Sequence, residues 1–261
     1  MEKYTVLSRP ELKVRLNQIL TNTVSLEHNE VMNETISNML FYIGDQEKEL
    51  RDELIYKTFT KLIIDDRFIK QDQLKEILAI VLDDRHLYLN LDKNSVLTRS
   101  FSILVVALIL NRNNNETCLS IEEFNHVKDK VLTYFEFEKD YRGYEKKVGW
   151  IHAIAHTCDA LEEIVLNQNC SHDDCIHILA IALRVFTNPD TIFSHEEDER
   201  FVVVLNAMIK RELISIKELN HWIEKLILVE DNSNYETFVK RVNGKNLLRS
   251  IHFSFKRIIK S

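Results

Sequence analysis

The chain has 261 residues, of which 45% are hydrophobic, and this content is enough to bury a sizeable core, so it excludes an intrinsically disordered protein. Its 4 glycines and 2 prolines supply too few turn residues for a many-stranded fold, and the composition favours helices. The formal net charge of -7 argues against broad binding to a phosphate backbone, and we expect no nucleic-acid partner.

The N-terminal residues lack the apolar stretch of a secretion signal. The longest apolar run, Ile103 to Leu110, is far shorter than the roughly 18 to 20 residues that span a bilayer. The cysteines are too few for a disulfide scaffold in a chain of this length; they are Cys118, Cys158, Cys170 and Cys175. We therefore predict a cytoplasmic protein with free thiols and no membrane partner.

Four helices are predicted in the first third of the chain. Ser8 and Pro10 provide a capping hydroxyl and a proline in the first turn, and Gly44 is predicted to end the second helix as a left-handed C-cap. Helically spaced apolar residues place these helices at about Ser8 to Leu20, Glu30 to Tyr42, Gln46 to Ile64 and Gln73 to Leu82.

The fifth predicted helix, Ser95 to Leu110, has no polar face in its second half and should be packed on all sides. Arg99 lies near its start, where a guanidinium needs a carboxylate or a ligand as its partner. The asparagine-rich segment that follows is predicted to be a surface connector. Ser120 and Glu123 then form a capping box for a sixth helix, which should end near Phe137.

The C-terminal third adds a helix capped by Ser171, two amphipathic helices after His195, and shorter helices from about Tyr235 and Lys245. With about a dozen helices and no convincing strand, the predicted fold class is all-α. We predict one all-helical domain over residues 1–261, with helical halves 1–140 and 141–261 as the alternative.

Two segments, Gly44 to Tyr56 and Asn188 to Leu205, resemble each other, since each has a turn, then acidic residues, then Arg51 or Arg200 near the opening of an apolar helix. The spacing of the helix pairs is near the roughly 40 residues of HEAT-type repeats, which stack into a curved superhelix with a concave face. An irregular helical bundle is the competing architecture.

The chain concentrates reactive side chains between Asp140 and Glu163, a segment predicted to be largely helical. Helical geometry places a polar stripe within an arc of about 60°, opposite an apolar face. The stripe consists of His152, His156, Asp159 and Glu163. Neighbouring alanines leave room for a ligand or another helix, so we expect the stripe to be covered.

Four segments together resemble an uncharacterised bacterial family, domain of unknown function 2785, from about Met39 to beyond Arg200. They are GDQEKELRDELIY, NSVLTRSFSILVVALIL, EKDYRGYEKKVGWIHAIAHTCDALEE and EEDERF. The resemblance implies an all-helical protein of Gram-positive bacteria and carries no activity that could be transferred.

Three interpretations of the stripe remain open. His152, His156 and Asp159 have the i, i+4, i+7 spacing that could bind a divalent metal such as zinc or manganese, although Ala153 stands where a zinc protease carries its catalytic glutamate. The second interpretation is a pocket for a polar or phosphate-like ligand, with Arg142 at the helix N-terminus. The third is a structural hydrogen-bonded network between helices.

Further residues are secondary candidates for this pocket. Arg99 and Trp150 could line it, with Trp150 and Trp222 otherwise predicted to be core anchors. Arg51 and Arg200 have acids one turn earlier, at Glu47 and Glu196, which favours surface ion pairs over a site role. Three acids after His195 are interpreted as the usual acidic first turn of a helix; they are Glu196, Glu197 and Asp198. A second group resembles a zinc cluster, but its spacing is wrong for a zinc knuckle; it consists of Cys170, His172, Cys175 and His177.

Two functional hypotheses follow. The first is a helical protein with a ligand or metal pocket around His152, His156 and Asp159; any chemistry would be hydrolytic or general acid-base, with His156 as the base and Asp159 orienting it. The second is a HEAT-like module that binds a protein partner without catalysis.

Overall fold

The computed structural model describes residues 4–23, 29–90, 95–227 and 234–258. The all-α prediction is confirmed, because these residues form eleven α-helices and one short hairpin. The chain divides into two compact units. The first unit is Met1–Leu119 with Tyr144–Ile151, and the second unit is Ser120–Gly143 with His152–Ser261.

The described residues of the first unit form five α-helices and the hairpin. These elements are α1 (Arg9–Leu20), α2 (Asn29–Phe41), α3 (Lys57–Thr60), α4 (Gln71–Val81), α5 (Val96–Asn115), and the strands β1 (Tyr144–Glu145) and β2 (Gly149–Trp150). Helix α3 continues at both ends into π-helical segments, Glu49–Tyr56 and Lys61–Asp65. Such wide turns are rare and recur at functional sites.

Helix α5 is the core helix of the first unit. Its side chains from Ile103 to Val106 are at most 6% exposed, which confirms that it is packed on all sides. Among the described residues it is the one helix long and apolar enough to cross a membrane, and 78% of its most apolar window is buried inside the protein. A core helix has this composition and burial.

Arg51 is a fully buried charge of the first unit, with a side chain that is 0% exposed. Its Nη1 donates to the carbonyl of Asp45 at 2.8 Å, and its Nη2 donates to the carbonyl of Val148 in the hairpin at 2.7 Å. Asp52 pairs with its Nε at 2.7 Å, and the guanidinium lies 4.7 Å from the centre of the Phe101 ring. The predicted surface ion pair with Glu47 is therefore wrong.

The hairpin is anchored at two further points. Gly149 has a φ of +83°, which favours glycine, and a Cβ there would lie 3.2 Å from the Cβ of Lys48 and 3.4 Å from Arg51 Nη2. Ser100 Oγ donates to the carbonyl of Ile151 directly after β2. The hairpin is thus held on buried polar groups of the first unit.

In the second unit, the described part of the chain forms six helices around a cluster of aromatic rings. The helices are α6 (Ile121–Phe137), α7 (Ala153–Leu166), α8 (His172–Phe186), α9 (Glu197–Lys210), α10 (Ile216–Ile227) and α11 (Tyr235–Ile258). Phe186 lies 5.2 Å from Phe193 and 5.1 Å from Phe201, measured between ring centres. Trp222 is 5% exposed and donates its Nε1 to the carbonyl of Leu179, which confirms it as a core anchor.

Several local predictions are wrong for identifiable reasons. Gly44 is not a left-handed cap; a Cβ there would lie 2.1 Å from Thr98 Oγ1, so the glycine permits a close helix approach instead. The asparagine-rich segment continues α5 to Asn115, and the side chain of Asn113 accepts the backbone N–H groups of Cys118 and Leu119 in the turn that follows.

The C-terminal helices and the central helix also differ from the prediction. The segments from Tyr235 and Lys245 form the single helix α11, in which a Cβ on Gly244 would lie 3.2 Å from the carbonyl oxygen of Leu226. The helix predicted within Asp140 to Glu163 begins only at Ala153, because residues 144–150 before it form the hairpin.

Candidate functional site

Helices α7 and α9 lie side by side and run in the same direction. At their N-terminal ends His152 Nε2 lies 4.0 Å from Glu197 Oε1. At their C-terminal ends Arg211 donates to the carbonyls of Val165 and Asn167. Because each helix N-terminus carries a partial positive charge, the parallel arrangement brings two such ends to one place.

Three imidazoles and one carboxyl group meet at these two helix ends. The His152 ring centre lies 5.8 Å from that of His156 and 6.2 Å from that of His195. Glu197 is 2% exposed and His156 is 8% exposed. We call His152, His156, His195 and Glu197 the histidine cluster.

Both helices begin after a residue in the left-handed backbone region. His152 has a φ of 45° and caps α7, and Glu196 has a φ of 68° and caps α9. Neither residue is a glycine, so each position costs conformational energy, on the order of 1 kcal/mol. Two such residues at adjoining helix ends place stored backbone strain at the histidine cluster.

Burial shifts the pKa values of two members of the histidine cluster, His152 and Glu197. The pKa of His152 is lowered from 6.5 to about 4, first because the ring is desolvated and then because Arg200 and His195 repel a positive charge. Burial also raises the pKa of Glu197, although the carboxylate accepts the backbone N–H of His195 at 2.9 Å. At neutral pH a neutral imidazole therefore lies beside a carboxyl group that ionises less readily than usual.

An ion pair between Asp159 of α7 and Arg200 of α9 borders the histidine cluster. Burial raises the pKa of Asp159, and the neighbouring guanidinium of Arg200 opposes that shift. The Arg200 side chain is 45% exposed, so the pair faces solvent on one side. The predicted pairing of Arg200 with Glu196 along one helix is therefore wrong.

Gly143 supports the cluster from the preceding loop. Its carbonyl accepts the backbone N–H of His152 at 3.2 Å. A Cβ on Gly143 would lie 2.5 Å from His195 Nδ1, so the His195 ring packs directly on the glycine backbone. The absence of a side chain at this position is what lets the ring approach.

The two arginines predicted to assist the pocket, Arg99 and Arg142, have other partners. Arg99 is 1% exposed in the first unit, and its Nη1 donates to the carbonyl of Asn90 at 2.8 Å and to Ser95 Oγ at 2.7 Å. Arg142 donates its Nε to the carboxylate of Asp140, also at 2.8 Å. Carbonyls and a neighbouring acid thus satisfy the two guanidinium groups.

Trp150 is not a core anchor, because it lies in β2 of the first unit and is 45% exposed. Its ring meets the ring of Tyr144 edge-on at 4.9 Å. The local sequence is rich in helix formers, which concealed the turn that places both aromatic rings outside the core.

The predicted metal set of His152, His156 and Asp159 is not formed. His152 precedes α7 in a left-handed conformation, so the i, i+4, i+7 spacing of a continuous helix does not apply to it, and Asp159 is engaged by Arg200. Among the residues described by the structure, no group of three or more His, Cys, Asp or Glu side chains could hold a metal ion.

The group of cysteines and histidines between Cys170 and His177 is not a zinc site either. Cys170 and Cys175 lie with their Sγ atoms 4.0 Å apart and are buried. His172 points elsewhere, because its Nε2 lies 2.7 Å from the carboxylate of Glu218. Burial and this pairing separate the thiols from the exposed imidazole.

The sequence pattern did not identify His195 and Glu197 as members of the site. An acid in the first turn of a helix is ordinary, and Glu197 was interpreted in that way. The signal that distinguishes it is the histidine two residues earlier, since the same turn delivers an imidazole and a carboxyl group together.

Fold and site together define an all-helical protein with a histidine cluster at the shared N-terminal end of two parallel helices. The chain belongs to a family of proteins of unknown function, DUF2785, whose family model matches residues 87–253. The predicted family is therefore confirmed. The match begins later than the predicted Met39 and includes every residue of the histidine cluster. No curated protein and no solved structure matches the chain.

Proposed function

We propose that the second unit binds a small polar ligand at the histidine cluster. The observation that carries this proposal is the meeting of three imidazoles and the buried Glu197 at the N-terminal ends of α7 and α9. Perturbed titratable groups that gather in one place are a recognised mark of functional sites, although structural networks share it. The strained caps at His152 and Glu196 add support, because such strain collects at binding and catalytic sites.

The chemistry of these groups favours a ligand with a carboxylate or phosphate group. Two adjoining helix N-termini favour negative charge, and the neutral imidazole of His152 can donate one hydrogen bond and accept another. Arg200 stands half-exposed at the border and supplies a guanidinium that matches such a group. Glu197 would accept a hydrogen bond from a donor elsewhere on the ligand.

The same groups are suited to general acid-base chemistry. His152 is uncharged at neutral pH, so its ring nitrogen is available to accept a proton. Because a pKa of about 4 makes it a weak base, this role requires the adjacent Glu197 carboxylate to stabilise the imidazolium that forms. Asp159 is held by Arg200, so we assign the role of base to His152 rather than to His156.

The test is a titration of the histidine ring protons by NMR, with inorganic phosphate and with malonate as probes. We expect saturable shifts at His152 and His195 and a raised melting temperature. Both effects should be lost in Arg200→Gln, which removes the guanidinium that matches the anion, and kept in His126→Asn, a control whose side chain is exposed on α6. Unmoved cluster resonances at tens of millimolar of either probe would rule out this class of ligand.

A second candidate function, a protein-binding module without catalysis, is favoured by the hairpin. Tyr144 and Trp150 are 41% and 45% exposed on a hairpin fixed by Arg51, and exposed aromatic side chains on a rigid support are typical anchors of protein interfaces. Affinity capture should yield a stoichiometric partner that Trp150→Ala loses and that the control Phe41→Ala retains. Equal capture by both variants would contradict this role.

We also propose a cytoplasmic location. The four cysteines are free and buried, which supports a reducing compartment. Fluorescence microscopy of a tagged chain checks this location.

A further inference from the structure

A groove of about 640 Å³ lies between α8 and α10 in the second unit. Apolar side chains form its floor and one wall; they are Ile176, Leu179, Ala180, Leu183 and Trp222. Ligand pockets are typically about 300 to 1,000 Å³ and mostly apolar, so the groove falls within the size range for a small molecule.

The apolar stripe on α8 is directed away from the core. Ile176, Ala180 and Leu183 repeat at i, i+4 and i+7, while Cys175 and Ile178 on the other side of the helix are fully buried. Ile176 remains 38% exposed. Exposed apolar area costs about 25 cal/mol per Å², so a ligand that covers the stripe gains that free energy.

The rim of the groove on α10 is basic. Lys217 and Lys225 line it, and within the described part of the chain neither forms an ion pair. Glu218 also lies on this rim, but it is engaged by His172 at 2.7 Å and by the backbone N–H of Ser215 at 2.8 Å. The rim therefore presents two ammonium groups, the imidazole of His221, and one carboxylate whose charge is already offset.

We propose that this groove binds an anionic amphiphile, with its aliphatic body on the α8 stripe and its carboxylate or phosphate near Lys217 and Lys225. The apolar floor from Ile176 to Leu183 is about 10 Å long at 1.5 Å per residue. A stable protein interface buries about 800 Å² on each partner, far more than a floor of this length provides. The dimensions thus favour a small molecule over a protein helix.

This site is independent of the histidine cluster, so the two proposals succeed or fail separately. The chain has two tryptophans, and Trp150→Phe leaves Trp222 in the groove wall as the sole indole reporter. In that background the probes are decanoate and, as a control of equal length and opposite charge, decylamine. Titrations run below the micellar concentration, with far-UV circular dichroism confirming an unchanged fold.

We expect a saturable change of Trp222 emission with decanoate and none with decylamine at equal concentration. Lys217→Glu with Lys225→Glu should weaken decanoate at least tenfold, whereas reversing the exposed pair Lys146 and Lys147 in the first unit should change its affinity less than twofold. Decyl phosphate in place of decanoate identifies the preferred head group.

Filling the groove provides a second test that does not depend on charge. Ala180 is exposed on α8, so Ala180→Trp should fold and should abolish decanoate binding as measured by calorimetry. Equal binding of decanoate and decylamine, or decanoate binding that survives Ala180→Trp, would overturn the proposal, because either result describes non-specific adsorption.

Discussion

Replacing Arg51 with methionine removes a charge from the interior while keeping much of the side-chain volume. The substitution leaves the carbonyls of Asp45 and Val148 without their guanidinium donor, and it leaves the carboxylate of Asp52 without its cation. Every one of these groups lies in the first unit. The expected result is a large loss of stability confined to that unit.

The magnitude follows from the burial of the pair. Removing one partner of a buried ion pair costs about 3–5 kcal/mol, because the other charge remains uncompensated. Hydrogen bonds to a charged group contribute about 1.5–3 kcal/mol each, so the loss of the two carbonyl contacts is of similar size to the loss of the ion pair. Burial already raises the pKa of Asp52, and Arg51 opposes this shift; without Arg51, Asp52 takes up a proton more readily, so the cost should shrink as the pH falls.

Urea unfolding followed by far-UV circular dichroism measures the loss, and hydrogen exchange at residues 144–151 locates it. Arg67→Met is the matched control, since Arg67 pairs with Glu116 in the same unit while the two side chains are 49% and 44% exposed, and it should cost less than about 1 kcal/mol. If Arg51→Met is no more destabilising than this control, the buried guanidinium does not stabilise the hairpin and the reasoning is refuted.

Three further predictions concern the histidine cluster. Between pH 6.5 and 4 the unfolded chain protonates His152 while the folded chain does not, so the free energy of unfolding should fall as the pH falls. Between pH 7 and 5 the wild type should lose about 2 kcal/mol more than His152→Asn. Equal pH slopes in urea unfolding would contradict the lowered pKa. Gly143→Ala should displace His195, cost about 1–3 kcal/mol and broaden the His195 NMR signals, whereas an unshifted His195 spectrum would show that the loop adapts. Arg200→Ala should cost at most about 1 kcal/mol in thermal melts, because the pair with Asp159 is partly exposed; a loss of several kcal/mol would indicate a buried ion pair.

Helices with local signals were predicted correctly from the sequence. Ser8, Ser120 and Ser171 each occupy the N-cap of an observed helix. A cap needs only the three or four residues that follow it, so the relevant information is contiguous in the chain.

The hairpin could not be predicted in this way. Its two strands of two residues each have little intrinsic stability, and the guanidinium that holds them belongs to Arg51, 97 residues before Val148. The local interpretation of Arg51 was misled by Glu47, which pairs with Lys13 instead. Sequence spacing reveals which charges can meet along a helix but not which ones tertiary packing will bury.

The histidine cluster was found only in part for the same reason. The stripe indicated His152 and His156, yet its geometry assumed a helix that had already begun at His152. His195 and Glu197 lie 43 and 45 residues after His152, and only the parallel packing of α9 against α7 brings them to the same place. Helical periodicity predicts which residues share a face of one helix, but it does not predict which second helix packs against that face.

The route of the chain through its two units constrains when the first unit can form. The chain leaves the first unit after Leu119, contributes Ser120–Gly143 to the second, and returns for Tyr144–Ile151. During synthesis from the N-terminus, Arg51 therefore cannot donate to Val148 until a complete helix of the second unit has been made. A fragment that ends before the hairpin would keep the Asp45 carbonyl but lose the Val148 carbonyl that accepts from Arg51 Nη2. The two units therefore cannot be separated by a single cut.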